Sequence, residues 1–417
     1  MFKFVHAADL HLDSPFKGIT ADSESVAATL RSATFDAYNA LVALCVEREA
    51  DFLVVAGDVY DGADRSLRAQ LCFRDGLARL AQHGIRAFVV HGNHDPLDGW
   101  ASAIAWPDGV HIFSGDDVET VPLERRGRVV AAVSGISYRT RRESRKLFSH
   151  FHATQPDLFQ IGLLHCNCGG NVAHEDYVPC QPDDLAQVGL SYWALGHVHT
   201  RAVLNENPHI VYPGNTQGRS IREPGERGCY LVTVDDGGRL ELEFCPLQAV
   251  QWLTDEVSID GLETIDALDR ALLGTVEDLR ERGGGGPVIC RLALTGRGPL
   301  YRELVSDGGL AELQSRARES GLSATPIVWV QEVEMAARPA VDLADLRDAR
   351  DLLGQALLIA QEIQGAADLP EILQPTLAEL FDDPRARKAL QALSPEKLKR
   401  LLSDAELLCV DMLTRDE

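Results

Sequence analysis

Phe52-Leu53-Val54-Val55-Ala56-Gly57-Asp58-Val59-Tyr60-Asp61 decides the reading of this chain. An unbroken apolar run of this length is what a strand buried on both faces looks like. Gly57 marks the turn, and Asp58 stands where the strand ends. A carboxylate at that place can bridge two cations. Four other polar clusters stand in the same relation to apolar runs: Asp9-Leu10-His11, Gly92-Asn93-His94-Asp95, His165, and Gly196-His197-Val198-His199.

Working outward, residues 2–8 read as a strand ending at Asp9-Leu10-His11, whose alternate spacing points both side chains the same way if the backbone stays extended. Residues 24–49 and 65–82 carry helical periodicity, the second closed by His83-Gly84. Strands are expected at 86–90, 129–133, 159–164, 192–195 and from 209, with a closing hairpin at 229–234 and 240–244. Strands alternating with helices, with polar residues at the strands' C-terminal ends, are the α/β pattern, in which sites form at those ends. The basic stretch 139–146 reads either as a solvated helix face or as a phosphate-contacting patch. Near Pro246 the character changes. Residues 250–335 read as strand, helix, strand, helix, strand, a small separate α/β domain. The run Gly283–Gly286 is a connector, not a phosphate loop, since no GK[ST] follows. Residues 342–364 read as one long helix. Two or three shorter helices are expected over 376–413, with breaks at Asp382-Asp383-Pro384 and Ser394-Pro395.

The chain has 417 residues, too many for one ordinary core, and two or three domains are expected. No signal-peptide pattern opens it, and no apolar run reaches the roughly 18 residues of a membrane span, so a cytoplasmic protein without membrane contact is predicted. The nine cysteines are odd in number and scattered, which argues against a disulfide framework. Cys166 and Cys168 beside His165 lack a second pair at zinc-site spacing and read as two small thiols. The formal net charge of −23 repels nucleic acid at long range. It leaves room for a DNA site made of bound cations, a local basic patch and a basic partner.

Hard divalent cations want oxygen and imidazole ligands, and the five clusters supply two such sets sharing one carboxylate. Two metals about 3.5–4 Å apart can hold a phosphate and acidify a water. The mixture of Asp, Asn and His suits manganese (Mn2+), or iron (Fe2+), better than magnesium.

The series Asp-x-His, Gly-Asp-x-x-Asp, Gly-Asn-His-Asp, His and Gly-His-x-His resembles that of the calcineurin-like metallophosphoesterases. The stretches His6–Pro15 and Tyr212-Pro213-Gly214-Asn215-Thr216-Gln217-Gly218-Arg219, and the two parts after 246, resemble the SbcD-type nuclease subunits and their YhaO-like relatives. The resemblance implies a four-layer α/β/β/α sandwich over 1–246, a capping domain over 250–335 and a helical partner-docking segment over 340–417. It implies one metal on Asp9, His11, Asp58 and His199 and another on Asp58, Asn93, His165 and His197. His94 would stabilise the transition state or protonate the leaving oxygen, with Asp95 orienting it. Double-strand-break nucleases of this kind often have a second active-site histidine where this chain has Asp61, which could instead hydrogen-bond a ligand histidine. His91 stands where many relatives have proline. His152 and His174 have no matching role.

The leading expectation is a manganese-dependent DNA phosphodiesterase, an exonuclease or endonuclease of repair, working with a Rad50/SbcC-like or YhaN-like coiled-coil ATPase. A homodimer through residues 95–150 is the assembly the resemblance implies. A phosphatase or small-molecule phosphodiesterase is the second reading, against which the extra domains speak. A regulatory subunit whose metals only hold the fold is the third.

Overall fold

The computed structural model describes the chain except for residues 17–23, 63–65, 100–103, 126, 144, 156–157, 170–177, 306–307, 350, 367–368, 370–372, 374–394 and 414–417. His174 and the breaks expected at 382–384 lie outside the described residues. The first part runs β1 (Phe2–Ala7), α1 (Glu24–Glu47), β2 (Phe52–Ala56), α2 (Leu67–Gln82), β3 (Arg86–Val90), β4 (Val110–Ile112), β5 (Glu119–Arg125), β6 (Arg128–Gly135), β7 (Phe159–His165), α3 (Pro182–Ala186), β8 (Tyr192–Gly196), β9 (Ala202–Glu206), β10 (His209–Tyr212), β11 (Gly228–Val234) and β12 (Leu240–Pro246).

These strands form two six-stranded sheets, ordered β12-β11-β1-β2-β3-β4 and β5-β6-β7-β8-β10-β9. Strands β1 to β4 are parallel neighbours, as are β6, β7, β8 and β10. The alternation along β2 shows why the sheets stack. Phe52 and Val54 belong to the core between the sheets, while Leu53 and Val55 belong to the core beneath α1 and α2. The inner core is aromatic on one side: the Phe4 and Phe52 rings stack at 5.0 Å, and Phe88 meets Phe52 edge-on at 5.8 Å. Facing them, Val133, Ile161, Leu163 and Ala194 supply the second sheet's inner surface. Its outer surface, with Trp193, Leu195 and Tyr212, packs on Phe151 and Leu185. The layers are those of the four-layer α/β/β/α sandwich.

The chain continues through β13 (Gln251–Ser258), α4 (Ile265–Arg282), β14 (Val288–Thr295), β15 (Arg297–Gly298), α5 (Tyr301–Val305), α6 (Gly309–Leu322), β16 (Val328–Met335), β17 (Arg338–Pro339), α7 (Leu343–Arg347), α8 (Leu352–Gly365) and α9 (Pro395–Leu413). Strands β13, β14 and β16 form a parallel three-stranded sheet. The chain divides into two compact units, 1–296 with 303–337, and 297–302 with 338–417. Within the second, α8 and α9 share the buried residues Leu353, Leu357 and Val410. Glu406 accepts from Arg347 at 2.9 Å and from Gln364 at 2.8 Å.

Two local expectations change. The single helix over 342–364 is two, because the Asp351 side chain caps a new start by accepting from the Gly354 amide at 2.7 Å. The basic stretch 139–146 is not helical where it is described. Arg139 and Arg145 pair with Asp116 and Glu143 at 2.9 and 2.7 Å, which spends two of its charges locally.

The two sheets approach closely at the C-terminal ends of β2 and β8. A Cβ on Gly196 would lie 1.8 Å from the Ala56 carbonyl oxygen. Gly196→Ala is therefore expected to lower the stability measured by urea unfolding by about 1–3 kcal/mol. Gly274→Ala, in α4 with open space around it, should raise it by about 0.5–1 kcal/mol.

Candidate metal centre

Each cluster sits in the turn after a parallel strand: Asp9 and His11 after β1, Asp58 after β2, Asn93 and His94 after β3, His165 ending β7, and His197 and His199 after β8. The first two turns stay zipped beyond their strands. Asp9 and His11 donate backbone N–H groups to the carbonyls of Gly57 and Asp58 at 3.1 and 3.0 Å. The backbone is not extended there. Asp9, His11 and Asp58 have φ of 52°, 44° and 50°, and His197 has φ of 100°. Such positive-φ conformations cost a non-glycine residue energy, though Asp and His tolerate them better than most, and they persist where the surroundings fix them. Gly92 is required by space: a Cβ there would meet Asp58 Oδ1 at 2.3 Å and His165 Nε2 at 2.7 Å.

The hydrogen bonds assign the tautomers. His165 Nδ1 lies 2.9 Å from the Ala56 carbonyl oxygen, so Nδ1 carries the proton and Nε2 turns inward. Nε2 then faces Asn93 Oδ1 at 3.0 Å and Asp58 Oδ2 at 3.4 Å. His199 Nδ1 lies 2.5 Å from Glu223 Oε1, which turns its Nε2 toward His11 Nε2 at 3.2 Å. His11 Nδ1 faces Asp61 Oδ1 at 3.5 Å. His165 Nε2 thus meets two acceptor oxygens and His11 Nε2 meets His199 Nε2, positions that a proton or a divalent cation can fill. Asp9 accepts the His197 backbone N–H on both oxygens at 3.1 Å. Asp9, His11 and His199 form one cluster of possible ligand atoms within 4.8 Å of one another, and Asp9, Asp58 and His165 form another. The His197 ring lies 5.2 Å from that of His165.

His94 stands at the edge of this cluster, its backbone N–H donating to Asp58 Oδ1 at 3.0 Å. The carboxylate beside its ring is Asp61, 2.9 Å from Nδ1. Burial would lower the His94 pKa, but the Asp61 hydrogen bond and the Asp58 charge overcome it and raise it. Asp95, expected to orient His94, instead is fully buried and fixes the loop backbone. It accepts from the Gly92 and Val59 amides at 2.7 and 2.9 Å and contacts His91 Nδ1 at 2.8 Å. His152 is exposed, away from this network. Cys166 and Cys168 are free thiols in the second sheet's outer core.

The motifs give no role to three further residues of the site. Glu223 accepts from Asn215 Nδ2 at 3.1 Å and the Arg219 amide at 2.7 Å while holding His199. Arg227 donates to the His199 carbonyl and to Asn215 Oδ1. Arg219 Nη1 donates to Ser14 Oγ at 2.9 Å and lies 3.3 Å from Asp61 Oδ2. The segment 212–219 was the available signal, but nothing in it says which histidine it supports.

The electrostatics follow from the burial. Burial pushes the Asp9 carboxyl up to about 6. Burial, then the Arg219 charge, pulls His11 down to about 3. For Asp58 burial is outweighed by the His165 and His11 charges, and its pKa falls well below the carboxylate range. The Asp58 carboxylate likewise outweighs burial at His165 and raises it to about 9.

Residues 2–201 match the calcineurin-like phosphoesterase family, and residues 252–338 match the middle domain of metallophosphoesterase YhaO. Metallophosphoesterase YhaO of Bacillus subtilis (strain 168) is 38% identical over 327 residues, covering 78% of this chain and 79% of the relative. The chain belongs to the calcineurin-like metallophosphoesterases, alongside YhaO. As a calcineurin-like metallophosphoesterase it is a hydrolase with a dinuclear metal site. Its facing nitrogens and oxygens fit that requirement. More distant likenesses are to the DNA double-strand break repair protein Mre11 of Methanopyrus kandleri, 24% identical over 76% of this chain and 71% of the relative, and to the SbcD component of nuclease SbcCD of Bacillus subtilis, 26% identical over 54% and 63%.

For a metallophosphoesterase built this way, ion binding must displace protons. Below about pH 9 one comes from His165, and below about pH 6 a second comes from Asp9. Calorimetric titration should show affinity rising about tenfold per pH unit between 6 and 9, and more steeply below 6. Glu223→Gln, which loosens the hold on His199, should weaken binding about 10–100-fold at constant pH.

Proposed function

We propose that this metallophosphoesterase is a manganese-dependent DNA phosphodiesterase, a nuclease subunit of DNA repair that works with a coiled-coil ATPase. Two divalent cations, bound by Asp9, His11, Asp58 and His199 and by Asp58, Asn93, His165 and His197, would supply Lewis acidity toward a phosphate and a water. The protein's own part is to position and to move a proton. His94 is held by Asp61 with its other ring nitrogen free of that bond, at the rim of the ligand cluster, where it can donate to a leaving oxygen. Arg219, tied to Asp61 and Ser14, brings a cation to the same rim. This offsets the loss of positive charge at position 61, where related nucleases often have histidine.

The observation that carries the DNA reading is the likeness to Mre11 and SbcD, together with the additional sheet β13-β14-β16 beside a phosphoesterase core. Gln217 joins the two, donating to the Val250 carbonyl at 2.7 Å and accepting from the Ala249 amide at 2.8 Å. In this reading 1–246 is the nuclease domain, 250–335 caps the DNA groove and 340–417 docks the ATPase. The docking assignment is supported by α9, which exposes Leu401, Leu408 and Met412 at helical spacing.

With manganese and end-labelled linear DNA, the wild type should degrade the label and Asp58→Asn should not. His94→Gln should keep both metals and lose about 10²–10⁴ in kcat. Turnover of bis(p-nitrophenyl) phosphate without any DNA cleavage would instead favour a small-molecule phosphodiesterase. In a separate test, Leu401→Asp with Leu408→Asp should abolish co-purification with the ATPase while nuclease activity persists. Undiminished capture would refute the docking assignment.

A further inference from the structure

A groove of about 440 Å3 opens directly beside the metal centre, between the loop that follows His11 and the faces of α1 and α2. Ser14 is the shared wall. Its hydroxyl donates to Asp61 Oδ2 at 2.6 Å and accepts from Arg219 on the metal side, while its neighbours Pro15 and Phe16 line the groove. Phe16 is half-buried and lies parallel to and offset from Trp252, ring centroids 6.3 Å apart and planes 16° apart. Trp252 is itself fixed, fully buried, with its indole N–H donating to the Gly218 carbonyl at 2.8 Å. Across the groove stand Arg31 on α1 and Arg68 in the first turn of α2, both exposed. Arg68 rests 4.2 Å over the Phe35 ring and makes a long ion pair, 3.9 Å, with Asp13, which also lines the groove and which a phosphate would have to displace.

A braced aromatic face with two guanidinium groups opposite is how proteins hold a nucleobase and its phosphate. It is the more telling in a chain of net charge −23. We propose that this groove is a nucleotide subsite: Phe16 stacks on the base next to the phosphate being cleaved, and Arg31 and Arg68 bind the neighbouring phosphate. The proposal rests on the phosphodiesterase reading and assigns the substrate class to a nucleic acid strand, with at least one unpaired base at the site.

The test is binding of a fluorescein-labelled trinucleotide with phosphorothioate linkages to the full, manganese-loaded chain, followed by anisotropy over a range of salt. Phe16→Ala should weaken binding roughly tenfold, and Phe16→Tyr should restore it. Arg31→Ala with Arg68→Ala should weaken it by a similar factor and flatten the salt dependence by about 0.7 in log–log slope for each phosphate no longer neutralised. Metal content and bis(p-nitrophenyl) phosphate turnover should stay within about twofold in all variants, since none touches the metal ligands. Unchanged trinucleotide affinity in Phe16→Ala, an unchanged salt slope in the double variant, or no binding by the wild type would overturn the proposal. Cleavage of end-labelled DNA, run in parallel, reports on the nuclease reading separately. Trinucleotide bound through Phe16 without DNA cleavage would sink that reading and leave the subsite standing.

Discussion

The carbonyl oxygen of Ala56 is the point on which this molecule closes. It ends the central strand of the first sheet, accepts the Nδ1 proton of His165 from the second sheet at 2.9 Å, and occupies the space a side chain on Gly196 would need. One acceptor therefore sets the spacing of the two sheets at their C-terminal ends, the tautomer of one histidine and the path of the turn that carries two more. The turns of β1 and β2 are zipped together in the same place, so Asp9, His11 and Asp58 follow the closure.

That closure brings buried charges together at a cost. Asp9 and Asp58 are each 1% exposed, and taking a carboxylate out of water costs several kcal/mol unless it is paired. The histidines only partly compensate, since His11 is held neutral by burial and by Arg219 while His165 takes up a proton against Asp58. At His165 that proton lies between Nε2 and the oxygens of Asn93 and Asp58, and a metal ion bound there must displace it. The left-handed backbone at four site residues belongs to the same balance. Stability is given up locally, and the aromatic core between the sheets and the helices beneath supply the rest. Outside the ligands, Glu223, Asp61 and Arg219 do the orienting, each reaching in from a loop rather than a strand.

The sandwich was legible in the sequence because its central strands are buried on both faces and so read as unbroken apolar runs with polar residues only where they end. The five clusters were legible for the same reason. The orienting residues were not, because a carboxylate in a loop carries no sign of which imidazole it will meet. Asp95 is next to His94 in sequence, yet its side chain serves the backbone of its own turn and that of the turn after β2. Asp61, from another turn, takes the place beside the ring. Helical periodicity also runs through the junction between α7 and α8, where Asp351 competes for backbone amides and restarts the helix. At 139–146 the described residues are not helical and two of the arginines pair with nearby acids, neither of which composition alone shows.

Two cations held by the facing donors His11–His199 and His165–Asn93 are what the metal-centre reading requires. Anomalous diffraction at the manganese edge, from crystals grown with manganese, tests this most directly. It should show two peaks about 3.5–4 Å apart, one between His11 and His199 and one between His165 and Asn93, with Asp58 touching both. A single peak, or a peak held by His11, Asp61 and His94 in place of either, would contradict it.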